Sequence, residues 1–147
     1  MDPGGVADLE RRLEHRFLDA ALLERALTHT SYAYEHPPTP HSEGLALLGD
    51  AALALVVAEY LFGQDPDAAV GVLTPRRAEL VSGANLARWA NDLELGALLR
   101  LGRGEEQTGG RARESILATA LEAVLGVIYL DAGLPAVRRA VARLALW

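Results

Sequence analysis

At 147 residues, half of them hydrophobic, the chain is long enough to bury a core of its own, and one domain spanning 1–147 is expected, with its core between about residues 8 and 145. The absence of cysteine excludes disulfides, thiolate metal ligands and a cysteine nucleophile, and a reducing compartment, the cytoplasm, is the corresponding expectation. A net charge of −6, with fourteen arginines as the only strong bases, argues against simple electrostatic binding of phosphates, except where divalent cations stand between protein carboxylates and phosphate oxygens.

From Met1 to Arg16, acids and arginines stand where an export signal needs an apolar run, and the sequence is read as having no uninterrupted apolar stretch of about 18 residues, so no membrane partner is expected. Leu9, Leu13 and Phe17 recur at helical steps, which predicts an amphipathic helix over Val6 to His15. Asp19 is the expected N-cap of a short helix, Ala20 to Leu27. Tyr34 to His41, with prolines at Pro37, Pro38 and Pro40, is expected to be a loop. Ser42 is the expected cap of a long helix, Glu43 to Phe62, apolar apart from Gly44, Gly49, Asp50 and Glu59 and so expected to be buried on most sides. After a turn at Gly63 to Asp67, Thr74-Pro75 is expected to open a helix with proline at its first position, running to about Ala90 with Arg76 and Arg77 outward. Asn91-Asp92 then restarts a short helix. The glycine-rich, charged stretch Leu101 to Arg111 reads as an exposed loop. Arg113 to Leu130 is a second long apolar helix, stopped by Asp131-Ala132-Gly133, and Leu134-Pro135 opens a last amphipathic helix with Arg138, Arg139 and Arg143. No alternating strand pattern and no internal repeat is present, so the fold class is all-α.

Glu43, Ala46 and Asp50 lie at i, i+3 and i+7 and share a face of the first apolar helix; Thr119 and Glu122 share a face of the second. Packed side by side, these helices would bring Asp50 and Glu122 together, and paired carboxylates on facing helices hold Mg²⁺ or Mn²⁺. Isolated acids in apolar helices also arise as helix-end charges, arginine partners or edge positions, and spacing alone does not decide between these readings. His36 and His41 lack a third metal ligand, and His29 is expected to be a hydrogen-bonded structural residue. Gly102, Gly104, Gly109 and Gly110 lack the lysine and hydroxyl ending of a phosphate-binding loop, and Trp89 and Trp147 are expected to pack.

The strings Ala26-Leu27-Thr28-His29-Thr30-Ser31-Tyr32 and Ser42-Glu43-Gly44-Leu45-Ala46-Leu47-Leu48-Gly49-Asp50-Ala51 are followed by Arg77-Ala78-Glu79-Leu80-Val81, Asn85-Leu86-Ala87, Arg113-Glu114-Ser115 and Tyr129-Leu130-Asp131. In this order they resemble the signatures of the ribonuclease III endonuclease domain. The resemblance implies an all-helical homodimer in which carboxylates bind Mg²⁺ and paired sites cut the two strands of an RNA duplex, as in ribosomal and other RNA processing. Asp50 and Glu122 fall on metal-binding positions and Glu43 on the first acid of the signature; these three are the implied catalytic residues. The two other metal-binding positions fall on Ala46 and Thr119, the motif's arginine on Gly44, and an acidic loop position on Val70. A site short of two carboxylates implies weakly held or absent Mg²⁺ or Mn²⁺ and impaired catalysis on double-stranded or structured RNA. An active nuclease with a reduced ligand set and a non-catalytic dimerisation module are the alternatives. Family members commonly continue into a double-stranded-RNA-binding domain, which this chain is expected to lack because it stops at Trp147, leaving Arg76, Arg77, Arg103, Arg111 and Arg113 as the implied RNA contacts.

Overall fold

A computed structural model describes residues 1–147 as helices without a strand, apart from an isolated bridge between Thr28 and Arg100. The first helices begin where short acids meet free backbone donors. Asp2 accepts the Gly4 N–H at 3.0 Å ahead of α1 (Pro3–Leu13), and Asp19 accepts the Ala21 N–H at 2.9 Å ahead of α2 (Ala20–Ala26), the latter as the sequence predicts. A short α3 (Thr30–Glu35) precedes the proline loop and was not expected. Its cap is a histidine: His29 Nδ1 accepts the Ser31 N–H at 3.1 Å.

The long α4 (Glu43–Gln64) follows, and Ser42 stands at its N-cap position as expected but does not cap it through its side chain. Ser42 already has helical backbone angles and its hydroxyl makes no capping bond, while His41 Nδ1 accepts the Glu43 N–H at 3.4 Å. Pro75 does not open a helix either. It lies inside α5 (Val70–Leu80), where its missing donor leaves the Gly71 carbonyl, exposed on the surface, to water. The expected continuation to Ala90 is a separate helix, α6 (Gly83–Asp92), begun by Ser82, whose hydroxyl accepts the Asn85 N–H at 3.2 Å. Asn91 and Asp92 therefore end a helix, and a 3₁₀ turn, Leu95–Leu98, comes next.

The glycine-rich stretch is more ordered than composition suggests. It holds α7 (Arg103–Gln107) and a 3₁₀ turn, Gly110–Ala112, because α3 captures its backbone: Ser31 Oγ accepts the Gly102 N–H at 2.8 Å and Glu35 Oε2 the Arg103 N–H at 2.7 Å. Last comes α8 (Glu114–Ala145), broken at Gly133, whose φ of 75° is open to glycine and costly for other residues. The stop read from Asp131-Ala132-Gly133 stands at that break.

The core lies where α4 and α6 cover α8, with Leu53, Val57, Leu86, Leu121, Leu125 and Ile128 fully or almost fully buried. By length and composition alone, α4 and α8 are apolar enough to cross a membrane, contrary to the sequence expectation, but 61% of the most apolar window of α8 is buried inside the fold. Around this centre, α1 is tied to the end of the first segment of α8. His15 Nε2 lies 2.9 Å from Asp131 Oδ2, which also accepts the Leu18 N–H at 3.2 Å, and both side chains are over nine-tenths buried. Asp131→Ala would orphan these groups and is expected to cost on the order of 2–3 kcal/mol in urea unfolding, more than a surface carboxylate. A loss below about 0.5 kcal/mol would show that water replaces the bond.

Candidate active site

The site is built on a backbone contact. Gly49 and Gly126 meet where α4 crosses α8, so the two helices approach without intervening side chains. Asp50 is the next residue after Gly49, and Glu122 lies one helical turn before Gly126. The crossing therefore sets the two carboxyl groups against each other on an open face, with Asp50 exposed and Glu122 half-buried. Burial, and then the adjacent Asp50, pushes the Glu122 carboxyl up to about 8, which favours its protonated form near neutrality.

The remaining residues of the expected set are placed unevenly. Glu43 stands exposed at the start of α4, two turns before Asp50. Ala46 is buried between the helices, and Thr119 lines a small pocket with His29, Ser42 and Ile116. No group of three or more acids and histidines converges in a manner suited to a metal ion. The donor set is thus two neighbouring carboxylates. It fits one hydrated Mg²⁺ or Mn²⁺, since such ions retain several waters and take one or two carboxylates, and a cation there would offset the burial and the neighbouring charge of Asp50 that together raise the Glu122 pKa. His29 is not part of this pair. Its Nδ1 is occupied at the start of α3, and burial lowers its pKa against the opposing pull of Glu105 and Glu43, keeping the ring neutral.

The arginines divide into two groups. Arg111 was expected to be a free phosphate contact; instead its Nη1 donates to the Gly96 and Leu99 carbonyls at 3.0 and 2.7 Å, and its Nε to Glu106. Arg113, expected in the same role, pairs with Glu105 at 2.5 Å and donates to the Thr108 carbonyl. Both staple the glycine-rich segment to the protein. Arg76, Arg77 and Arg103 are exposed and their guanidinium groups make no hydrogen bond or ion pair within the chain.

A model of the family described as ribonuclease-III-like matches residues 19–146. The chain belongs to this family. Among its relatives, Ribonuclease 3 of Heliobacterium modesticaldum is 52% identical over 139 residues, covering 93% of this chain and 59% of that protein. Ribonuclease 3 of Streptomyces coelicolor is 52% identical over 136 residues, covering 92% and 49% respectively. This chain thus spans between half and three fifths of the length of these ribonuclease III relatives. The crystal structure of the nuclease domain of ribonuclease III from Campylobacter jejuni superimposes with a TM-score of 0.89 at 40% identity, over 98% of this chain and 94% of that one. Dicer from Pichia stipitis shares the fold, with a TM-score of 0.60 at 24% identity over 81% of this chain and 49% of that one.

Two features escaped the sequence reading of this ribonuclease III fold. Gly49 and Gly126 carried a signal, a glycine inside each long apolar helix next to or one turn from the acid of interest. The outer surface of α4 did too: the helix was expected to be buried on most sides, yet Leu47, Leu55 and Phe62 are 75%, 53% and 60% exposed.

The raised pKa of Glu122 has a stability consequence. The unfolded chain ionises this carboxyl near its ordinary 4.5, whereas the folded chain holds the proton up to about 8, so the stability associated with it is full below pH 4.5 and is lost as pH rises to 8. Without divalent cation, thermal melts of wild type should fall through that range relative to Glu122→Gln, which has nothing to titrate. Parallel pH profiles for the two proteins would contradict the assignment.

Proposed function

We propose that this chain is a ribonuclease III-type domain that engages double-stranded or structured RNA as a homodimer and carries a catalytically impaired, single-cation site formed by Asp50 and Glu122. The observation that carries this reading is the Asp50–Glu122 pair, two facing carboxyls on an open surface in a chain of this family, with Ala46 and Thr119 at the neighbouring positions. When bound, a hard divalent cation supplies charge for a phosphate oxygen and lowers the pKa of a water. The residues themselves hold and orient: Asp50 offers a carboxylate in solvent, Glu122 must first release its proton, and Thr119 offers only a neutral hydroxyl. Glu43, exposed two turns away, adds negative charge that favours a cation approaching this face. Of the expected RNA contacts, Arg76, Arg77 and Arg103 have guanidiniums free to meet phosphates.

Incubation of purified protein with labelled duplex RNA in Mg²⁺ and in Mn²⁺ tests the reading. Slow or absent cleavage by wild type is expected, with a large gain in Ala46→Glu/Thr119→Asp, because the ligand shell is then complete on an intact scaffold. Rapid wild-type cleavage abolished by Asp50→Asn or Glu122→Gln would replace it with the active-enzyme reading. Absence of any duplex retention in a low-salt gel shift would leave a structural module.

The homodimer is supported by the stripe Leu47, Leu55 and Phe62 on α4 and by α5, which contains no buried residue and exposes Val70 by 75% and Val72 by 45%. Apolar surface of this extent on one face is typical of an interface. The structural relative from Campylobacter jejuni is described as flexible in a region involved in dimer formation. Light scattering should give twice the chain mass, and Leu55→Asp should give a monomer with unchanged helical circular dichroism. A monomeric wild type at tens of micromolar would refute the dimer.

A further inference from the structure

We propose that Gly49 and Gly126 are positioning residues for a cation at the Asp50–Glu122 pair: their side-chain-free contact sets the separation across which the two carboxylates act together. The proposal rests on the cation reading given above.

A methyl group on Gly49 would overlap the carbonyl oxygen of Glu122, lie 2.6 Å from its carbonyl carbon and sit 2.8 Å from the Gly126 nitrogen. A methyl on Gly126 would overlap the Leu45 carbonyl oxygen and lie 3.3 Å from the Gly49 nitrogen. The obstruction is backbone on both sides, which cannot rotate away as a flexible side chain does. By contrast, Gly63 on the same helix and Gly71 on α5 have nothing within 4 Å of an added methyl.

The contact is directly joined to the residues that carry the carboxylates. Glu122 is itself one of the residues Gly49 touches, and Asp50 is covalently next to Gly49, so widening the crossing moves apart the two backbone positions from which the carboxyl groups reach. A hard cation binds oxygens at about 2.0–2.2 Å and tolerates little stretch, so an opening of about 1 Å separates a two-armed site into two one-armed ones. Ala46 and Thr119 increase the dependence, because neither brings a carboxylate to take the place of a lost arm.

Close glycine packing alone would also explain the contact, and rescue by a longer arm separates the two explanations. Mn²⁺ binding is measured by the loss of the free-ion electron paramagnetic resonance signal, with thermal melts in parallel, for wild type, Gly126→Ala, Gly63→Ala, Asp50→Glu and Gly126→Ala/Asp50→Glu. Gly126→Ala is expected to bind Mn²⁺ on the order of 10- to 100-fold more weakly, the range for residues that orient metal ligands. Gly63→Ala should match wild type. Asp50→Glu alone should weaken binding, since it lengthens one arm across an unchanged gap, yet in the Gly126→Ala background the same substitution should recover affinity.

Folded Gly126→Ala with wild-type affinity, or a double variant no better than Gly126→Ala, overturns the positioning role. If Gly126→Ala does not fold, Asp50→Glu decides: undiminished Mn²⁺ affinity with the native crossing shows that the separation is not what matters. Wild type that binds no Mn²⁺ removes the cation reading and this inference together, whereas wild type that binds and variants that bind equally remove only this inference.

Discussion

The backbones of α4 and α8 touch at Gly49 and Gly126, and much else in the structure follows from that contact. Helix axes ordinarily stand about 8–10 Å apart because side chains fill the space between them. With glycine on both sides, the carbonyl of Glu122 lies where a Gly49 side chain would begin. Leu53, Val57, Leu121 and Leu125 are then sealed in the core, and the chain's two adjacent helix-borne acids, Asp50 and Glu122, come to share one opening. The contact stabilises the core by dense packing and at the same time creates an electrostatic conflict at its edge.

That conflict is resolved by a proton. A half-buried carboxyl beside another cannot readily ionise, and Glu122 keeps its hydrogen near neutrality. In the proposed site, Ala46 and Thr119 bring no negative charge, which keeps this repulsion small but leaves no further carboxylate to grip a cation. Stability and metal affinity pull in opposite directions here. Carboxylates crowded without a cation are costly to the fold, and carboxylates removed are costly to the proposed site.

The outer surface of α4 and the whole of α5 follow a different logic. A helix with no buried residue, carrying Pro75 in its interior, gains little from the rest of the fold. Its Leu73, Thr74 and Arg77 line a shallow pocket with Ala58, Leu61 and Phe62 of α4. In the proposed dimer the same stripe is interior, and the high apolar content of α4, excessive for a helix with one covered face, is accounted for.

The sequence by itself determined the helical class, the two long apolar helices, the cap at Asp19 and the break at Gly133, because each depends on neighbours a few residues away. It also carried the family, through motifs spaced along nearly the whole chain, and with it the proposal that Asp50 and Glu122 form the site beside Ala46 and Thr119. Tertiary structure alone decided the rest. Arg111 and Arg113 looked free because their partners, Gly96, Leu99, Glu105 and Glu106, depend on how the glycine-rich segment folds back. That segment in turn is ordered by Ser31 and Glu35 from some seventy residues earlier, at separations of 71 and 68 positions, which no local pattern records. The two acids that spacing left undecided became a pair for the same reason. Their meeting is set by two glycines 77 positions apart, whose significance lies in what they allow to approach, and a missing side chain has no periodicity to read.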